Sequence, residues 1–251
     1  MRTTSRRLLA SAALPTLVVV AACAAGGGKG GGTVPVAASA PAPASAPSVV
    51  GAPGQAAEAG ASLAPEALPG VRLVQADLPP GWSIGEKATD DDTGRTERPE
   101  CQPFADLMTG SGAGVAPTGY GAVGLVADGK EDALFSISMR TYRPGDAPAL
   151  FDAARAALAA CPDFRARDAQ GVTTGYAVAM QDAPDLGDQA LRGTIAVSLR
   201  GNTFTLPSTF VRSGNVVVQF SAFDPGGPEP AAVPDAIVRA QLAKLAAAER
   251  G

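Results

Sequence analysis

Three cysteines, Cys23, Cys101 and Cys161, and a complete lack of histidine set the chemistry open to this 251-residue chain. Without an imidazole there is no serine–histidine or cysteine–histidine nucleophile system, and the usual zinc ligand sets are missing as well. No CxxC pair offers redox exchange. A serine–lysine arrangement has little to work with, because Lys29 lies in a glycine-rich stretch and Lys87, Lys130 and Lys244 stand in no recognisable serine–lysine motif. Paired carboxylates could hydrolyse glycosides, but the acidic residues are too numerous and scattered for spacing to select two of them. The chain therefore reads as a non-enzyme, with no catalytic residue, metal ligand or cofactor to name.

Cys23 has a different chemistry. It closes the run Val20-Ala21-Ala22-Cys23 directly after an apolar segment, and Arg2, Arg6 and Arg7 precede that segment. The apolar stretch from Leu8 to Ala22 is interrupted by Ser11, Pro15 and Thr16 and falls short of the ~20 apolar residues of a membrane span. A basic start, a short apolar middle and small residues before a cut describe an export signal. The run resembles the lipobox of bacterial lipoproteins, which implies cleavage before Cys23, acyl chains such as palmitate on the mature protein, and retention on the outer face of the cell membrane. Residues 1–22 are then signal peptide. Lipidation of Cys23 leaves Cys101 and Cys161, which an exported compartment permits to oxidise to a disulfide closing a loop of about sixty residues. The alternative is two separately buried thiols.

Composition bounds the partners. Removing the three leading arginines leaves 17 basic against 24 acidic residues and moves the formal charge from −4 to −7. An acidic chain argues against nucleic acid as an electrostatic partner. From Cys23 to residue 69 the sequence is almost wholly Ala, Gly, Pro, Ser and Val, which cannot bury enough apolar surface to offset its ordering entropy. It reads as a tether. Gly26 to Gly32, around Lys29, lacks the GK[ST] ending of a phosphate loop. One folded domain is expected over residues 70–251.

Within that domain Leu78-Pro79-Pro80-Gly81 is a rigid turn delivering the single tryptophan, Trp82, for packing. Asp90-Asp91-Asp92 lacks the alternating ligands of a calcium loop and reads as solvated. A short helix is expected near Pro103 to Met108, a glycine-rich loop from Gly110 to Gly121, and a strand from Tyr120 to Val126. Period-two alternation from Ala133 to Arg143 sets Phe135, Ile137 and Met139 on one face and Ser136, Ser138 and Arg140 on the other. Asp146 offers a helix cap, with Leu150, Ala154, Leu158 and Cys161 on one helical face until Pro162. Strands follow over Val172 to Met180 and Leu191 to Arg200. A Gly201-Asn202 hairpin turn leads to Thr203 to Arg212, and a turn at Ser213-Gly214 or Gly214-Asn215 leads to Val216 to Phe223. Pro207 marks a bulge or an edge. A last helix starts near Pro234, with Val238, Leu242 and Leu245 on one face. The fold class is α+β, an antiparallel β-sheet packed with helices.

Leu78-Pro79-Pro80-Gly81-Trp82, Cys161-Pro162-Asp163-Phe164, the strand from Val211 to Val218 and the closing Ala240 to Leu245 together resemble actinobacterial lipoproteins with a PknH-like extracellular sensor domain. The resemblance spans most of residues 70–251. It implies a disulfide-stapled antiparallel sheet with helices and a ligand groove. Members often have two disulfides, whereas this sequence can make one. No kinase domain is present.

These readings converge on a cell-surface lipoprotein whose extracytoplasmic domain binds an unidentified ligand. A lipid carrier or envelope assembly factor is the alternative. The proposed ligand row is the polar face of the strands, where Arg140, Tyr142, Arg192 and Arg200 could offer planar donors and a stacking surface to an anionic or sugar-like cell-wall component or small molecule. The plainer reading of that row is a solvated sheet face. An acyl carrier needs a deep apolar pocket, and a recognition module needs an open groove with converging polar groups.

Overall fold

The computed structural model of the chain describes residues 62–86, 94–110, 115–225 and 231–250. Cys23, the export segment, nearly all of the tether, the Asp90-Asp91-Asp92 run and part of the expected loop after Gly110 lie outside them. Among the described residues nine strands form one antiparallel sheet: β1 (Trp82–Gly85), β2 (Arg95–Thr96), β3 (Gly119–Ala127), β4 (Leu134–Thr141), β5 (Asp163–Arg167), β6 (Thr173–Asp182), β7 (Gln189–Leu199), β8 (Asn202–Ser213) and β9 (Val216–Phe223). Their order across the sheet is β1-β3-β4-β9-β8-β7-β6-β5-β2. Four α-helices accompany them, α1 (Leu68–Val71), α2 (Gln102–Thr109), α3 (Asp146–Leu158) and α4 (Asp235–Glu249). The architecture is the expected α+β.

Helices cover both faces of the sheet, but over different strands. On one face Phe135, Ile137 and Met139 of β4 join Val123, Leu125, Val218 and Phe220, and pack against Leu68 and Val71 of α1 and Ile237, Val238 and Leu245 of α4. Trp82 meets Phe135 edge-on at 4.8 Å beside this core, the packing role its turn suggests. On the opposite face Phe164, Tyr176, Leu191, Ile195 and Phe210 pack under Phe104 and Leu107 of α2 and Leu150, Phe151 and Ala154 of α3. Two cores therefore share one sheet. Large side chains buried this way each contribute roughly 1.5–3 kcal/mol relative to exposure.

The folded part begins earlier than residue 70. Leu63 is buried, and the Asn215 side chain holds it on both sides: Leu63 N–H donates to Asn215 Oδ1 at 2.8 Å, and Asn215 Nδ2 donates to Leu63 O at 3.1 Å and Tyr142 O at 2.9 Å. Composition alone could not reveal a clamp supplied by a residue 152 positions away.

Local corrections have local causes. Gly145 takes a left-handed conformation (φ 87°) and is the N-cap of α3, so Asp146 becomes the first helical residue, where its charge suits the helix dipole. The helix ends at Leu158, so Cys161 lies beyond it, and β5 starts two residues later with Phe164 and Ala166 inward and Asp163, Arg165 and Arg167 outward. The β7–β8 turn is Arg200-Gly201, one position before the expected pair, because Leu199 pairs with Asn202. Both turn residues have positive φ, 51° and 84°, as a two-residue hairpin with matching twist requires. Pro207 pairs only with Thr194 of β7, since β9 joins β8 from Ser208 onward. The expectation of a strand edge at this proline holds.

Candidate functional site

Strand register builds the site. Gly85 lies opposite Gly124, Gly124 opposite Ser136, Ser136 opposite Ser221, and Ser221 opposite Ser208. One row across β1, β3, β4, β9 and β8 thus carries nothing larger than a hydroxymethyl group. Two positions along the same strands the residues are apolar, Val126 of β3, Leu134 of β4, Phe223 of β9 and Leu206 of β8, with Leu134 paired to Phe223. The row on the other side begins with Ala122, Ser138 and Gln219. Side chains on alternate positions of a strand share one face, so a small row beside larger ones leaves a groove running across the strands. It lies on the α2/α3 face, over the strands those helices leave open, and has a volume of about 490 Å³.

The groove has a polar floor and an apolar wall. Ser136 Oγ and Ser221 Oγ share a hydrogen bond at 2.7 Å. On the wall, the Phe223 ring is met edge-on by Phe204 at 5.2 Å. Leu134 is 66% exposed, the largest exposure of a large hydrophobic side chain among the described residues, and Phe204 is 37% exposed. At the β1 end the backbone of Glu86 crosses the floor, and a Cβ on residue 124 would stand 1.7 Å from the Glu86 carbonyl oxygen, so this close approach requires glycine. The charged groups lining the groove are Glu86 and Glu131. Hydrogen bonds from its own amide and from Gly129 N–H, the latter at 3.0 Å, hold the Glu131 carboxyl below the usual range. Nearby Lys130 is engaged with Asp224 at 2.6 Å.

The four residues proposed as a ligand row do not assemble. Arg140 and Tyr142 are on the groove's face but fully covered, Arg140 at 1% exposure. Gly110, the left-handed cap of α2, sits directly on them: a Cβ there would be 2.2 Å from Arg140 Cδ and 3.3 Å from the Tyr142 hydroxyl. The Arg140 guanidinium stacks over Tyr120 at 5.6 Å and reaches Gln219 Oε1 at 3.5 Å. Arg192 is on the opposite face, donating to Thr209 Oγ1 at 3.2 Å and pairing with Asp235 of α4 at 2.8 Å. Arg200 is in the hairpin turn. The cause is the double core. The apolar row of β4 faces α1 and α4 while that of β7 faces α2 and α3, so their polar rows point in opposite directions.

Cys101 and Cys161 form the disulfide, with sulfurs 2.04 Å and Cα atoms 5.7 Å apart. It fastens the start of α2 to the segment between α3 and β5. Arg98 reinforces the same junction by donating to Ala160 O at 2.8 Å.

Ser136 and Ser138 were visible as polar positions of a strand, but Gly124, Ser208, Ser221 and Phe223 were not visible as their neighbours. The signal was a glycine or serine at the same height on successive strands, readable only once the pairing register is known. Among the described residues no group of three or more cysteines or carboxylates is placed to hold a metal ion, and no helix is long and apolar enough to cross a membrane.

No family model matches the chain, and no curated protein does. Among solved structures, it is similar to the extracellular domain of PknH from Mycobacterium tuberculosis, at 14% identity and a TM-score of 0.46, over 76% of this chain and 98% of that one. It is also similar to an uncharacterised protein of Mycobacterium smegmatis, the Rv0999 ortholog, at 12% identity and a TM-score of 0.38, over 69% of this chain and 92% of that one.

Proposed function

We propose that the chain is an extracytoplasmic binding module, held at the cell membrane through acylated Cys23, whose groove receives a small ligand or a segment of a larger one. The observation that carries this reading is the groove itself, a concave site with paired serine hydroxyls beside an apolar wall. Support for the anchor is the run ending at Cys23 behind its basic and apolar leader. The binding residues are Ser136 and Ser221 on the floor and Leu134, Leu206 and Phe223 on the wall, in place of the arginine row. An acyl carrier fits less well, because an open groove does not enclose a chain and dry contact would leave the floor hydroxyls without water.

Calorimetric titration of the purified full chain with a mixture of soluble cell-wall fragments tests the reading. Heat should be released on binding, and Ser221→Trp, which fills the groove, should abolish it. Equal binding by the native chain and the filled variant would place any site elsewhere.

A further inference from the structure

The same groove has a chemistry narrow enough to name its ligand class, and this step rests on the binding-module reading. Two serine hydroxyls sharing one hydrogen bond keep a second hydroxyl hydrogen and several lone pairs available to a ligand. The facing wall of Leu134, Leu206 and Phe223 is apolar, and the Phe204 contact fixes the Phe223 ring in place. A ligand lying between them needs alternating hydroxyl and C–H surface along its length. The open part of the floor is the Ser136 and Ser221 pair on neighbouring strands, about 5 Å apart at the usual strand spacing, because the Glu86 backbone covers Gly124.

Charge narrows the class further. Among the described residues the charged lining groups are Glu86 and Glu131, neighbouring Lys130 is engaged with Asp224, and Arg140 is sealed beneath Gly110. Phosphate- or carboxylate-rich polymers would therefore meet repulsion from these two carboxylates. We infer that the groove takes a short stretch of an uncharged or amino-bearing glycan, laid across the strands with its hydroxyls on Ser136 and Ser221 and a sugar C–H face against Phe223.

The test is calorimetry on the full chain with three probes: N-acetylated chitotriose, a glycerol-phosphate oligomer, and a short-chain fatty acid below its micelle concentration. Chitotriose alone should bind. Leu134→Ala, whose side chain is largely exposed and so does not endanger the fold, should weaken it five- to tenfold. Binding of the phosphate oligomer or the fatty acid in preference, lost in Ser221→Trp, would overturn the glycan assignment and leave the binding module standing. Chitotriose binding that neither Leu134→Ala nor Ser221→Trp weakens would overturn it as well. If no probe binds and the cell-wall mixture is equally silent, both readings fall.

Discussion

Glu249 occupies the last turn of α4, where the helix dipole already disfavours a carboxylate. Burial pushes its carboxyl above the ordinary value of 4.5; the Ser213 hydroxyl, donating at 3.0 Å, pulls the other way, and the charge of Asp188 adds to the rise. Asp188 is itself held by Arg212 at 2.7 Å and by Gly214 N–H at 2.8 Å. A raised acid pKa in the folded state means that the fold favours the protonated form. Stability from this site is therefore present at low pH and declines as pH rises from about 4.5 through the folded value. Glu249→Gln keeps the shape and removes the charge, and its melting temperature should exceed that of the native chain at pH 7. The gap should close as pH falls below 4.5. Thermal melts of both proteins across that range provide the check, and a gap independent of pH would exclude the charge as its cause.

At the scale of elements, the disulfide is the clearest junction. It closes a separation of 60 residues, for which the chain-entropy model gives about 4 kcal/mol, with measured values often smaller. Cys101→Ser with Cys161→Ser should lower unfolding free energy by about 2–4 kcal/mol in urea titration and leave a folded chain, since two cores remain. Complete loss of the cooperative transition would mean that α2 and α3 depend on the staple to dock at all. The pairing was legible because reading Cys23 as the end of a lipobox left two cysteines. Strand alternation was equally legible: Phe135, Ile137 and Met139 share a core, as do Leu191 and Ile195. What periodicity could not supply was the side of the sheet each row would face. That choice depends on which helix returns over which strands, and it separated Arg140 from Arg192. Strand β5 escaped notice for a related reason, because Pro162 was read as the end of a helix when Phe164 and Ala166 already begin an alternating pair.

For the whole molecule, the attachment is the first matter to settle. Cys23→Ser should move the protein from the membrane fraction to the soluble exported fraction with its thermal melt unchanged, which fractionation and immunoblotting would measure. A processed Cys23→Ser protein still firmly at the membrane would refute the lipid anchor. The chain joins the folded part at Leu63, which Asn215 fastens beside Tyr142, just past one end of β4. The groove's exposed wall begins with Leu134 at the other end of that strand. Six residues of extended backbone, roughly 20 Å, separate Ser136 from Tyr142. Leu63 and the exposed Leu134 wall of the groove thus stand at opposite ends of β4.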